Sequence, residues 1–403
     1  MRRLLIGLSS GSNACSVDAA LVEASGIGMS MALRPLHALH LPLPRDLRDL
    51  MLRLTTDLAA SFRELGWVHR ALGESYVAAI QRLVLESRSP LSSIFAVGLG
   101  EWTPWHDMDA RNPTLLSFGM AECIAETTGL STAADFRTSD LVAGGQGFPL
   151  TPILDRLVFR DRTESRVLLH LGNVATLISI PREDERRAMV AFQAAPAGML
   201  LDGLMRKLTQ GRETCDAGGK HAVQGRCIDD LLERWLALPI LQRKPPKTIS
   251  PEDFGEAFIT QAVSLAKARE RSLHDVLCTA THFVARSIVD AISKHTPVRP
   301  SRVLVSGGGV RNGFLWNLIE QGLKPIPLER TDALGVPAEV RKPLAIAGLA
   351  ALAFDGTASN LPPLTGAKRP RPLGRFVPGS EENWRRCLEW MSANQTLPRL
   401  AAA

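Results

Sequence analysis

Glycines set between apolar runs are the residues of this chain whose placement most readily suggests chemistry. Leu4-Leu5-Ile6-Gly7-Leu8 breaks into Ser9-Ser10-Gly11-Ser12-Asn13, and a second apolar run, Val17 to Val22, follows at once. The same device returns in the second half, where Val167 to Ile180 is interrupted at Gly172-Asn173. A third cluster, Ser306-Gly307-Gly308-Gly309, separates the apolar run Arg302 to Val305 from a helix-patterned segment beginning at Phe314. Short turns aim several backbone N–H groups at one point, which suits an anion. A glycine cluster between a strand and a helix suits the other end of a nucleotide. One such turn is usually structural punctuation; three in this order point to a phosphate chain held between opposed turns.

Other chemistries lack their residues. The six cysteines (Cys15, Cys123, Cys215, Cys227, Cys278, Cys387) form no C-x-x-C pair, which predicts reduced thiols of a cytoplasmic protein. The nine histidines form no H-E-x-x-H or comparable cluster, so no metal centre is expected from spacing. The densest basic stretch, Lys368, Arg369, Arg371 and Arg375, alternates with Pro and Gly and has no interleaved aromatic residues. It reads as a solvated loop, and no nucleic-acid partner is expected. The longest uncharged apolar stretch, Pro343 to Phe354, is short of the ~20 residues a membrane span needs. Met1-Arg2-Arg3 before Leu4 to Leu8 imitates an export signal, but the apolar core is below the usual ~7–15 residues, and a first buried strand is the expectation.

These turns need elements to position them, and 403 residues at ~100–200 per domain allow two or three domains. Hydrophobic residues at 45% and charged residues at 22% exclude a wholly disordered chain. Leu4–Leu8, Val17–Val22, Ile94–Val97, the two runs within 167–180, Met189–Ala194 and Arg302–Val305 read as strands. Helical periodicity marks 45–65, 67–85, 198–208, 253–269, 274–294, the Ala/Leu-rich segment after Pro343, and 381–391. Residues 243–250, with Pro245 and Pro246, read as a linker. Two similar halves that mix strands and helices suggest two α/β lobes around a cleft.

With these motifs assembled, the sequence resembles the anhydro-N-acetylmuramic acid kinases of the actin/hexokinase-like ATPase superfamily, from about residue 4 to 379. The resemblance rests on Asp135-Phe136-Arg137 with Asp140, Ala143-Gly144-Gly145-Gln146-Gly147 and Pro149-Leu150. It continues through Pro196 with Met199-Leu200-Leu201-Asp202, Ser306-Gly307-Gly308-Gly309 with Arg311-Asn312, and Leu364-Thr365-Gly366-Ala367 with Leu373-Gly374 and Pro378-Gly379. It implies an α/β, two-lobed, ribonuclease H-like fold with a nucleotide cleft between the lobes. The first lobe is expected over 1–133, completed by a C-terminal helix within 340–378; the second over 134–339; and 379–403 as an extension. There Trp384, Leu388 and Trp390 are expected to pack within the chain. The resemblance further implies a cytoplasmic homodimer that uses ATP and magnesium to open the 1,6-anhydro ring of a recycled cell-wall amino sugar and phosphorylate its O6. The phosphate and nucleotide contacts would come from Gly11, Ser12, Asn13, Asp18, Gly172, Asn173, Gly307, Gly308, Gly309 and Asn312, and the sugar contacts from Asp135, Arg137 and Glu101.

Departures from the family pattern fall on polar positions. The first loop replaces the family's aspartate with Cys15, removing an anionic oxygen suited to magnesium or its waters. Asn173 stands where the second loop has glycine. Leu99-Gly100-Glu101-Trp102 replaces His-Gly-Gln-Thr. Most consequentially, Gln193 occupies the family's general-base aspartate within Ala191-Phe192-Gln193-Ala194-Ala195-Pro196, and an amide takes up no proton near neutral pH. Asp18 and Asp202 are the remaining carboxylates of these segments. The pattern predicts a divergent kinase with weakened or lost catalysis; an active sugar kinase with an altered substrate and a non-catalytic nucleotide or sugar sensor are the alternatives.

Overall fold

Leu4 to Leu8 is apolar on both strand faces, the pattern of a strand covered on both sides, and it forms the centre of a sheet. A computed structural model describes residues 2–11, 14–55, 60–107, 113–185, 188–245 and 247–394. The chain divides into two units, the first comprising residues up to Val158 together with those from Val340 onward, the second Phe159–Glu339.

In the first unit, β1 (Arg2–Ser10) pairs antiparallel with β2 (Ser16–Ser25), which pairs antiparallel with β3 (Ala32–Pro42). On the other side β4 (Ile94–Gly100) runs parallel to β1. A hairpin of β5 (Trp102–Asp107) and β6 (Thr114–Phe118) forms a separate small sheet. The short β7 (Thr132–Ala134) is parallel to β4 and is joined by the strand Arg375–Val377. The order is therefore β3-β2-β1-β4-β7, with the C-terminal strand at the edge.

The helix Arg341–Phe354 lies on this sheet, and all its residues are buried except Lys342. Its close approach depends on two glycines. A Cβ at Gly7 would lie 1.9 Å from the Pro343 carbonyl oxygen, and one at Gly98 would lie 2.5 Å from that of Ile346.

The second unit repeats the scheme. β8 (Arg166–Leu171), β9 (Ala175–Ile180) and β10 (Val190–Ala195) are antiparallel neighbours, and β11 (Arg302–Ser306) and β12 (Leu328–Arg330) continue parallel to β8. The order β10-β9-β8-β11-β12 matches the first sheet strand for strand. This duplicated antiparallel-then-parallel sheet is the ribonuclease H-like α/β arrangement, and the two strand–glycine turn–strand devices are the first hairpin of each copy. The helix Leu273–His295 runs through the core of this unit with Val276, Phe283, Val284 and Ile288 buried. By length and composition alone it is long and apolar enough to cross a membrane, but its apolar surface is covered by its own unit, as in a core helix.

Several boundaries differ from expectation. The helix expected over 45–65 ends at Leu54, and a new one, Phe62–Ser87, starts at Ser61, whose side chain accepts from Glu64 N–H while Glu64 accepts from Ser61 N–H. That reciprocal cap fixes the restart. The stretch expected to be helical over 253–269 is interrupted at Gly255. Residues 134–158, assigned from sequence to the second lobe, group with the first unit. Asp155 there receives Arg341 through Nε at 2.7 Å and Nη2 at 2.5 Å, and β7 holds the strand Arg375–Val377.

The segment after Gly379 is likewise integral to the first unit. Its helix Glu381–Asn394 brings Trp390 over the Arg3 guanidinium, 4.0 Å from carbon to ring centroid, and Trp390 Nε1 donates to Asp355 at 2.8 Å. Asp355 also accepts from Arg3 Nη1 at 2.6 Å, Arg3 Nη2 at 3.1 Å and Gly28 N–H at 2.8 Å. Trp384 packs near Phe376, whereas Leu388 remains exposed.

A buried carboxylate with four donors is expensive to remove, because the guanidinium left behind is an uncompensated buried charge. Asp355→Ala is expected to destabilise the protein by about 3–5 kcal/mol, read from the urea midpoint.

Candidate active site

Each unit carries its own part of the predicted site. In the first, β1 ends at Ser10 and the chain turns through Gly11, with Ala14 N–H donating to the Gly11 carbonyl at 3.0 Å. Ser12 and Asn13, two predicted phosphate contacts, lie outside the described residues. Asp18, on β2, stands opposite His40 of β3; its Oδ1 lies 2.6 Å from His40 Nδ1 and accepts from Ser16 Oγ at 3.3 Å. Asp18 is thus held in a cross-strand pair.

The described residues here do not fit magnesium, the metal implied by the resemblance. The neighbouring position is the thiol of Cys15, Asp18 is engaged by His40, and among the described residues no three His, Cys, Asp or Glu side chains gather into a metal cluster. The negative charge of Asp18 instead supports the ammonium of Lys342. This donor set does not suit a hard dication that seeks several oxygens.

The predicted sugar residues do come together. Glu101 follows β4, and burial pushes its carboxyl up to about 7, reinforced by the negative charge of Asp135 and opposed by Arg375 and Arg137. Asp135, in the left-handed region at φ 52°, caps the helix Phe136–Val142 by accepting from Thr138 N–H at 3.3 Å. Arg137 donates to the Gly147 carbonyl at 2.9 Å and stacks 3.7 Å over Phe148; burial lowers it to about 10.

Beneath them lies buried Asp140, which accepts from Gly147 N–H at 2.9 Å, Asn360 Nδ2 at 2.8 Å and Thr365 Oγ1 at 2.8 Å. A Cβ at Gly145 would sit 2.2 Å from its Oδ2. The motif of residues 143–147 and the one around Thr365 therefore meet in a single polar knot.

In the second unit, the Gly172-Asn173 turn joins β8 to β9, and its carbonyls accept from Gly198 N–H at 3.0 Å and Met199 N–H at 2.8 Å. These donors open the helix Ala197–Thr209. Gly307, at φ 92°, donates its N–H to Ala338 O at 2.8 Å, while a Cβ at Gly308 would meet nothing within 4 Å. Gly309 packs on Leu171. Asn312 caps the helix Gly313–Leu323, its Oδ1 accepting from Leu315 N–H at 3.0 Å, so its side chain oxygen serves the fold.

Gln193 does not stand idle. Its Oε1 accepts from Ile249 N–H at 2.6 Å, and its own N–H donates to Lys247 O at 3.1 Å, docking the 247–249 segment against β10. Asp202, on the helix Ala197–Thr209, reaches back towards Gly198, where a Cβ would lie 3.3 Å from its Oδ2. Burial pushes this carboxyl up to about 6, against the pull of Arg206.

A model of the family described as anhydro-N-acetylmuramic acid kinase matches residues 3–379. The chain belongs to the anhydro-N-acetylmuramic acid kinase family. It is 34% identical to the anhydro-N-acetylmuramic acid kinase of Salinibacter ruber over 391 residues, 94% of this chain and 97% of that one. It is 35% identical to that of Gloeobacter violaceus over 381 residues, 93% and 98% of the two chains. Among solved structures, the activator of 2-hydroxyisocaproyl-CoA dehydratase from Clostridium difficile with bound ADPNP aligns at TM-score 0.44 and 10% identity, covering 85% of this chain and 92% of that one. A ROK family glucokinase from Streptomyces griseus in complex with glucose and AMPPNP aligns at TM-score 0.36 and 15% identity, covering 86% and 98%.

One residue of this family member escaped the sequence reading. Ser306, His170, Thr176 and Gln193 stand in register across β11, β8, β9 and β10, so their side chains share one sheet face. His170 lies 3.1 Å from Ser306 Oγ through Nδ1, and its ring is within 3.0 Å of where a Cβ would stand at both Gly172 and Gly307. The available signal was a lone polar residue between Leu169 and Leu171 at the end of an apolar strand.

The raised Glu101 value has a definite sign. The folded state binds that proton more tightly than the unfolded chain, so the stabilisation is complete below about 4.5 and lost as pH rises through about 7. Relative to the parent, Glu101→Gln should gain stability across that window, by up to about 3 kcal/mol at pH 8, measured as the urea midpoint difference at pH 4.5 and pH 8.

Proposed function

We propose that this chain is a divergent member of its family: an ATP-binding, sugar-kinase-like protein in which ring-opening phosphorylation of 1,6-anhydro-N-acetylmuramic acid is weakened or lost. The supporting observation is the side chain of Gln193, an amide whose oxygen is spent on Ile249 N–H. Phosphoryl transfer in this class depends on positioning and charge neutralisation, whereas hydrolytic ring opening also needs a group that takes the proton of the attacking water. Gln193 has no such capacity.

The glycine turns at Gly172 and Gly307–Gly309 would take the phosphates and the nucleoside end, and Glu101, Asp135 and Arg137 the amino sugar. A cytoplasmic homodimer acting on recycled cell-wall material fits the family reading. Asp202, able to exchange a proton near pH 6, supports a second reading in which a different carboxylate serves as base and the enzyme turns over a related sugar.

Loss of a positioned base costs ~10²–10⁴-fold in rate. With ATP and the anhydrosugar, the parent is expected to turn over at least about a hundredfold more slowly than Gln193→Glu or Gln193→Asp. The glutamate variant is nearly isosteric and keeps an acceptor for Ile249 N–H. A parent rate equal to that of both variants, abolished by Asp202→Asn, would establish the second reading instead.

A further inference from the structure

Magnesium's poor fit at the first hairpin leaves a question of charge: a nucleotide's terminal phosphates need a cation, and the described residues beside the Gly11 turn form no metal cluster. The structure places a cation of its own there. Lys342 is the second residue of the helix Arg341–Phe354 and its sole member not buried. Its Nζ donates to the Ser10 carbonyl at 2.8 Å, the last carbonyl of β1 before the Gly11 turn.

An ammonium has three N–H donors, so the bond to Ser10 commits one and leaves capacity for an anion at the mouth of the turn. The helix cannot withdraw the lysine, because the Gly7 and Gly98 contacts fix its height above the sheet. Arg341 beside it pairs with Asp155 and also donates to Thr151 Oγ1.

We propose that Lys342 is a phosphate-binding residue of the first unit, its fixed ammonium supplying the positive charge that the family resemblance assigns to magnesium, so that the terminal phosphates of a nucleoside diphosphate or triphosphate bind here without a divalent cation. The proposal rests on the nucleotide-binding reading above and deepens it.

Three observations support it together. Cys15 offers a thiol where the family pattern has a carboxylate, and Asp18 Oδ1 is already paired with His40. Loss of water around the half-buried Lys342 side chain, with the charges of Arg137 and Arg341, brings its pKa down to about 8, while Asp18 favours the charged form. The group is therefore still mostly protonated at neutral pH, and an anion arriving beside it would meet a charged ammonium. A dication beside that ammonium would meet its repulsion.

Calorimetry with ADP on the full chain, in excess EDTA and in millimolar magnesium, tests this. The expectation is a Kd in EDTA within about threefold of that in magnesium. Lys342→Met should weaken metal-free binding at least about tenfold, and Lys342→Arg should retain most of it, with thermal melts confirming that both variants fold. Binding that appears only with magnesium, or metal-free binding unaffected by Lys342→Met, would overturn the role of Lys342 and leave the nucleotide reading intact. No ADP binding under either condition would overturn both.

Discussion

Two missing β-carbons govern the first unit. Gly7 and Gly98 let a buried helix settle on the central strands at a distance no side chain would permit. Interiors pack at near-crystalline density, so a helix seated this low has little freedom to shift or rotate. The elements at its ends inherit that precision: Arg341 meets Asp155, Lys342 meets Ser10, and the end of the helix presents Asp355 to Arg3, Gly28 and Trp390. A contact between backbone surfaces thereby sets where charge stands around the first hairpin.

Much of this scaffold was legible beforehand because its signals are local. Uninterrupted apolar runs ending in glycine gave both hairpins, and 3.6-residue periodicity gave the long helices. What stayed hidden depends on partners distant in sequence. β3 carries Pro35, His37, His40 and Pro42, a composition that discourages a strand reading but is tolerated at an edge. The hairpin Trp102–Phe118 mixes Pro, His and Asp with its apolar residues. The knot around Asp140 gathers Asn360 and Thr365 from more than two hundred residues away, and no window on the sequence reveals such a meeting.

The site was legible in part. The glycine turns could be located, and the substitutions at Cys15, Asn173 and Gln193 could be read against the family pattern. What the side chains do in compensation was not readable: that Asn312 serves as a helix cap, that Glu101 is desolvated beside Asp135, that His170 abuts two glycine turns, and that a lysine reaches the first hairpin. Family membership fixes the scaffold, while the local environment of each polar group determines its protonation and availability. Scaffold and site chemistry are therefore specified by different residues within one chain.

The bond between Gln193 and Ile249 carries a consequence of its own. A carboxylate accepting that backbone hydrogen would weaken as an acceptor on protonation, and the strap it fastens would loosen in acid. An amide oxygen holds no exchangeable charge, so the clasp grips alike in acidic and alkaline surroundings. Gln193 thus gives its strand a fastening that acid does not undo.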